Sequence, residues 1–223
     1  MLEVILDTET TGLSTTQKHR IVEIACVELN NQITTGKVFH TYINPQRSVS
    51  EDAFKVHGYS DEFLSDKKKF NEIVDDFLNF IDKKKIIIHN APFDLGFLNY
   101  ELRLVKKKEI DPSNVVDTLE IARQKFPGSQ NSLDALCKRF SVDTSKREKH
   151  SALVDCHLLK NVYVNLLDQK EPKFNFNNIE HNDLKFEKRK IGKALGKIIK
   201  PSEGELRDHK NFLKKNLSKN FFN

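Results

Sequence analysis

Across residues 70–81 the apolar positions 70, 73, 74, 77, 78 and 81 alternate with Asn71, Glu72, Asp75 and Asp76. That spacing keeps one face of a 3.6-residue helix apolar and predicts an amphipathic helix. Other apolar runs are shorter and β-branched. Val4-Ile5-Leu6 predicts a buried strand running into Asp7-Thr8-Glu9-Thr10-Thr11-Gly12, and residues 20–29 and 32–43 predict two more, parted by the turn signal Asn30-Asn31. Three strands joined by short turns form an antiparallel meander. Residues 44–68 read as loop with short helical pieces near Ala53-Phe54 and Glu62-Phe63-Leu64.

The second half alternates strand and helix. Lys85-Ile86-Ile87-Ile88 is a fully apolar strand, and Pro92 opens a helix at a position where a missing N–H costs nothing. Val115-Val116 leads into a helix over 117–126 that Pro127-Gly128 ends. Ser132 caps a helix over 133–140, and residues 151–167 form the last long helix of the domain. The expected fold is α/β: a mixed sheet of meander plus parallel strands, flanked by helices and followed by a C-terminal tail.

The tail differs in composition. Residues 1–168 read as one domain, 169–200 as a linker with a basic segment, and 201–223 as a terminal helix. Ser202 and Glu205 have the spacing of a capping box, opening a helix over 203–217 whose Leu206, Leu213 and Leu217 make a narrow apolar stripe. Charge follows the same division. The net charge is +5, but 14 Lys and Arg against 8 Asp and Glu lie from residue 168 on, leaving 23 against 24 before it. Broad electrostatic wrapping of a duplex by the main domain is therefore not expected. Apolar runs fall short of a membrane span, and Met1 runs directly into strand-like sequence rather than a signal peptide. Cys26, Cys137 and Cys156 are odd in number and lack metal-ligand spacing, which suits buried thiols in a cytoplasmic protein.

Three acidic clusters carry the candidate chemistry. Residues two apart on a strand face the same way, so Asp7 and Glu9 can share a pocket, where a hard divalent cation would keep both ionised. The competing reading is a strand end followed by a polar turn. Asp94, in His89-Asn90-Ala91-Pro92-Phe93-Asp94, falls in the first turn of a helix, where the dipole favours an anion; plain capping is the alternative. His150 and Asp155 are five residues apart and can share a site only if His150 precedes the helix proper. Otherwise His150 is a surface histidine.

Taken together, the clusters resemble the DEDD exonuclease superfamily in its histidine-containing (DEDDh) branch. The likeness runs through Asp7-Thr8-Glu9 with Thr10-Thr11-Gly12, through His89 to Asp94 with Phe97-Leu98, and through His150-x-Ala152-x-x-Asp155. It continues in Phe54-Lys55-Val56-His57-Gly58, Phe126-Pro127-Gly128 and Asn131-Ser132-Leu133-Asp134-Ala135-Leu136-Cys137. In that detail residues 1–167 are similar to the proofreading subunits of bacterial replicative DNA polymerases. The resemblance implies a ribonuclease-H-like fold and 3'–5' cleavage releasing nucleoside 5'-monophosphates. It implies that Asp7, Glu9, Asp94 and Asp155 hold two Mg²⁺ or Mn²⁺ ions, with His150 as general base. Asp7, Glu9, Asp52, His57 and Asp155 would meet the terminal nucleotide of a single-stranded 3' DNA end. Asp52 stands where relatives carry Glu and so reaches less far. The tail would tether the chain to the polymerase catalytic (alpha) subunit, and a short motif could touch the sliding clamp, although Gln169 to Phe174 lacks the usual intervening Leu or Met. The rival expectations are a related ribonuclease or oligoribonuclease, and a catalytically idle accessory subunit.

Overall fold

The computed structural model describes residues 1–145, 147, 149–167 and 201–216. The chain divides into two compact units, Met1–Lys173 and Phe174–Asn223. In the first, five strands form one sheet in the order β3-β2-β1-β4-β5. β1 (Leu2–Thr10) pairs antiparallel with β2 (Ile21–Asn30), which pairs antiparallel with β3 (Ile33–Tyr42). On its other side β1 runs parallel to β4 (Lys85–Ile88), and β4 parallel to β5 (Val115–Asp117). The expected meander and parallel strands are both present.

β1 is central because both of its faces are apolar. Val4 and Leu6 pack into a core with Phe70, Val74 and Phe77 of α3 (Phe70–Ile81) and with Leu98 and Leu102 of α4 (Ala91–Leu104). Ile5 points the other way, into a cluster with Ala152, Cys156, Leu159 and Tyr163 of α7 (Ala152–Leu166). Alternation along a strand therefore assigns Thr8 to the α4 side and Asp7 and Glu9 to the α7 side. α7 approaches closely because the residues it presents are small: Ala152, Cys156 and the facing Ala25 are fully buried, and the Cys156 thiol donates to the Ala25 carbonyl at 3.3 Å. On the opposite face Arg20 forks onto Glu101 of α4 with two contacts of 2.6 Å, tying that helix to the start of β2.

The short helices also follow local chemistry. Ser50 and Ser60 cap α1 (Glu51–His57) and α2 (Asp61–Ser65). Asp117 caps α5 (Thr118–Lys125), so the helix expected from 117 begins one residue later. Ser132 caps α6 (Leu133–Arg139) as its spacing predicts. In the second unit, α8 (Glu203–Asn216) opens on the expected capping box, with Ser202 Oγ accepting from Glu205 N at 3.3 Å and Glu205 Oε2 accepting from Ser202 N at 2.8 Å. The linker, the basic segment, Gln169 to Phe174 and Leu217 lie outside the described residues. Among the described residues no helix is long and apolar enough to cross a membrane.

Close packing of α7 makes Ala152 a sensitive position. Ala152→Leu should destabilise the domain by about 1–3 kcal/mol through overpacking, read as a lower midpoint in urea denaturation. An unchanged midpoint would show that α7 can withdraw from the sheet without loss.

Candidate active site

The site lies at the carboxyl ends of the parallel strands, where α/β sheets usually hold ligands. β1 delivers Asp7 and Glu9, and a register irregularity between Glu9 and Thr10 bends its end. β4 ends at Ile88, and two residues on the left-handed backbone of Asn90 (φ 66°) turns the chain sharply into α4. Asn tolerates that conformation better than most residues. The turn places Asp94 in the first turn of α4, buried, where Thr8 Oγ1 donates to Asp94 Oδ1 at 2.6 Å. α7 begins at Ala152, so His150 does precede the helix, and Asp155 lies buried in its first turn. Glu9, His150 and Asp155 each bring a ligating atom to within 4.8 Å of the others.

Gathering these acids has an electrostatic consequence. Burial, then Asp94 and the other nearby carboxylates, hold the Asp7 carboxyl well above its ordinary range. Burial and the neighbouring Glu23 and Asp155 push Glu9 from 4.5 to about 8. Asp94 rises from 3.8 to about 7, mainly by burial, against the opposing hydrogen bond from Thr8. Asp155 Oδ1 is buried and lacks an aligned hydrogen-bond donor. Four carboxylates, two buried and two half-buried, face one guanidinium and so are short of positive charge; a hard divalent cation suits such oxygen donors, and the residues fit that group.

Two positioning features were not legible as such in the sequence. Glu23, 0% exposed, accepts from His40 Nε2 (2.7 Å) and Ser151 Oγ (3.1 Å) on one oxygen, and from Tyr59 OH (2.8 Å) and Ala152 N (3.0 Å) on the other. It thereby fixes the start of α7 beside His150. Arg147 is the second: its guanidinium lies between Asp155 and His150. The His150 backbone N–H donates to Val56 O at 3.2 Å, which holds the same segment against α1.

Beside Glu9 a cavity of about 490 Å³ is lined by Leu13, Ala53, Val56 and Phe93 and edged by Thr10, Ser50, Asp52 and His57. His57 is buried and doubly held. Its Nδ1 accepts from Tyr59 N at 3.0 Å, so Nε2 carries the proton and donates to Thr10 O at 3.3 Å. Tyr59 stacks on its ring at 4.8 Å. Asp52 stands at the rim with its side chain 95% exposed, 3.3 Å from Lys55 Nζ. Gly12 closes the turn after β1, where a Cβ would fall 2.4–2.6 Å from the His19 ring.

An exonuclease family model of the RNase T type matches residues 4–163. The chain is 51% identical over 218 residues to the DNA polymerase III subunit epsilon of Rickettsia felis, covering 95% of each. The chain belongs to this family of epsilon exonucleases. It is also 40% identical over 234 residues to the subunit of that name from Haemophilus influenzae, covering 95% of this chain and 89% of that one. Among solved structures, the nuclease domain of 3'hExo, a DEDDh family member bound to rAMP, superposes with a TM-score of 0.66 at 19% identity, over 76% of this chain and 92% of that one. Exonuclease X in complex with 5' overhanging duplex DNA gives 0.59 at 24%, over 75% and 92%. The expected ribonuclease-H-like fold is confirmed by these likenesses. The chain is a 3'–5' exonuclease, and its fold and acid set imply dependence on divalent cations.

For this epsilon-family exonuclease the raised carboxyls set a pH dependence. A carboxyl whose folded pKa exceeds its unfolded value binds more protons when folded, so its contribution to stability is lost as pH rises between the two. For Glu9 that window runs from 4.5 to about 8. In chelator, the melting temperature should fall from pH 5 to pH 8, and Mg²⁺ should remove most of the fall by replacing protons with cations. A decline of equal size with and without Mg²⁺ would count against a cation-binding acid cluster.

Proposed function

We propose that this chain is the proofreading exonuclease of a bacterial replicative DNA polymerase, trimming unpaired 3' ends of DNA to nucleoside 5'-monophosphates. The observation that carries this reading is Glu9 and Asp155 within ligating reach of each other and of His150, with Asp94 near enough to Asp7 to raise its pKa, beside a nucleotide-sized cavity. Asp7, Glu9, Asp94 and Asp155 would hold two Mg²⁺ or Mn²⁺ ions, which when bound supply the charge that activates water and steadies the leaving oxygen. His150, half-exposed at the mouth of the cluster, takes the proton from the attacking water as general base. The cavity takes the last nucleotide. Phe93 offers it an aromatic face and Leu13 and Val56 apolar walls, and stacking of this kind is worth about 1–3 kcal/mol per base. His57 shapes the cavity floor through its Thr10 contact, and Asp52 at the rim is placed to meet the sugar.

Discrimination follows from access. A mismatched terminus unstacks at lower cost than a paired one, with a few kcal/mol at stake, so a site that admits only a frayed single strand is already selective. The name shared by the relatives supports association with a DNA polymerase III, and in the proposed reading the contact is made with its catalytic (alpha) subunit, in the cytoplasm. α8, a capped helix with Leu206 exposed, is the candidate tether. The linker is where contact with the sliding clamp would fall.

Incubation with a 3'-mismatched primer-template should give Mg²⁺-dependent release of nucleoside 5'-monophosphates that chelator or Asp7→Ala abolishes. His150→Ala should slow turnover by about 10²–10⁴ while Mn²⁺ binding persists; unchanged turnover removes His150 from the mechanism. Faster digestion of an RNA oligonucleotide than of the matching DNA would favour a ribonuclease instead. Deleting residues 201–223 should abolish co-purification with the polymerase and leave nuclease activity intact. Retained association refutes the tether.

A further inference from the structure

Arg147 occupies an unexpected place for a cation in a site built to hold metal. Its guanidinium is 8% exposed and faces Asp155, itself 6% exposed. Nη2 donates to Asp155 Oδ2 at 2.7 Å, and Nε lies 2.6 Å from Asp155 Oδ1 without the alignment of a hydrogen bond. Both oxygens that Asp155 could offer a metal ion are therefore covered. Nη2 also reaches His150 Nδ1 at 2.8 Å. Arginine has donors only, so Nδ1 must accept, and the neutral ring then carries its proton on Nε2. In this arrangement neither nitrogen of His150 has a lone pair free for a water proton.

We propose that Arg147 is a resident counter-ion of the acid cluster: it holds Asp155 and His150 while no divalent cation is bound, and the cation binds by displacing it. This rests on the cation-site reading given above. One guanidinium cannot balance four carboxylates, whereas two dications nearly can, so the exchange favours the metal ions once they are available. The arginine also has somewhere to go. Nη1 already contacts Asp134 of α6, whose side chain is 66% exposed, so the guanidinium can leave Asp155 without losing a partner. Displacement would free His150 Nδ1 in the same movement, linking cation occupancy to the availability of the base.

A competitor that holds the site nine-tenths of the time weakens apparent affinity about tenfold. Calorimetric titration of the full chain with MnCl₂ should therefore show Arg147→Gln binding about tenfold more tightly than wild type. Damage to the fold would weaken binding instead. Arg147→Lys separates displacement from simple repulsion, because lysine keeps the charge but lacks the planar fork that covers two oxygens. Under displacement it too binds Mn²⁺ more tightly than wild type, and both variants melt at lower temperature than wild type in EDTA. Lysine matching wild type, or both variants binding no more tightly than wild type, overturns the proposal while leaving the cation site standing. Should wild type bind no Mn²⁺, or Asp7→Ala bind it equally well, the cation-site reading fails as well.

Discussion

Several buried carboxylates are forced into one small volume, and the rest of the structure exists to tolerate that repulsion. The β1 backbone is held by β4 through residues 3–5 and by β2 along its whole length, Asp7 and Glu9 included, so it cannot swing the two carboxylates apart. Asp94 and Asp155 are pinned from opposite faces of the sheet by α4 and α7, each in a first helical turn where the dipole favours negative charge. Like charges so held relax in three ways: by taking protons, by recruiting a protein cation or by binding metal. The raised pKa values of Glu9 and Asp94 and the placement of Arg147 against both oxygens of Asp155 are two faces of this one constraint.

Glu23 shows that crowding alone does not decide a carboxyl's fate. It stands directly opposite Glu9 in the β1–β2 ladder, and it is the more deeply buried of the two. Burial pushes its pKa up, yet hydrogen bonds from His40, Ala152 and Tyr59 outweigh that and hold it below the ordinary range. Glu9 lacks comparable donors and rises instead. The sheet thus sets two glutamates side by side with separate tasks. Glu23, saturated with donors, is structural glue for the start of α7; Glu9, left unsatisfied, is available to a cation. Tyr59 carries the same glue outward, because its backbone N–H and ring fix His57 at the cavity.

The strand alternation that aims Asp7 and Glu9 into one site, the proline that opens α4 before Asp94, and the need for His150 to precede its helix are all local properties. Each could be read from a few consecutive residues, and the structure has Pro92 at the start of α4 and His150 ahead of α7. Glu23 and Arg147 are different in kind. In Ile21-Val22-Glu23-Ile24 the glutamate looks like an ordinary polar residue in a strand, since its four donors come from residues 40, 59, 151 and 152. Arg147 sits in a charged stretch where any side chain could be solvated, and only packing against Asp155 distinguishes it. Asp52 is recognisable only through family resemblance, and its side chain stands exposed beside Lys55. Local periodicity carries information about which way a residue faces, whereas the identity of its long-range partner is set by topology.

Charge distribution completes the picture of how such a site can be selective. Residues before 168 carry nearly equal numbers of acids and bases, so net charge alone gives the domain no pull toward a duplex. Under the proposed reading that weakness is useful. A nuclease that bound paired DNA strongly would spend its time on correct ends, and cleavage would compete with synthesis. A neutral domain with one cavity next to an acid cluster gains substrate mainly through what enters the cavity, and entry requires a terminal base already out of its stack. Affinity for the replication site can then come from tethering, which raises local concentration without any contact to the primer. Under that reading, chemistry, discrimination and delivery are carried by separate parts of one chain.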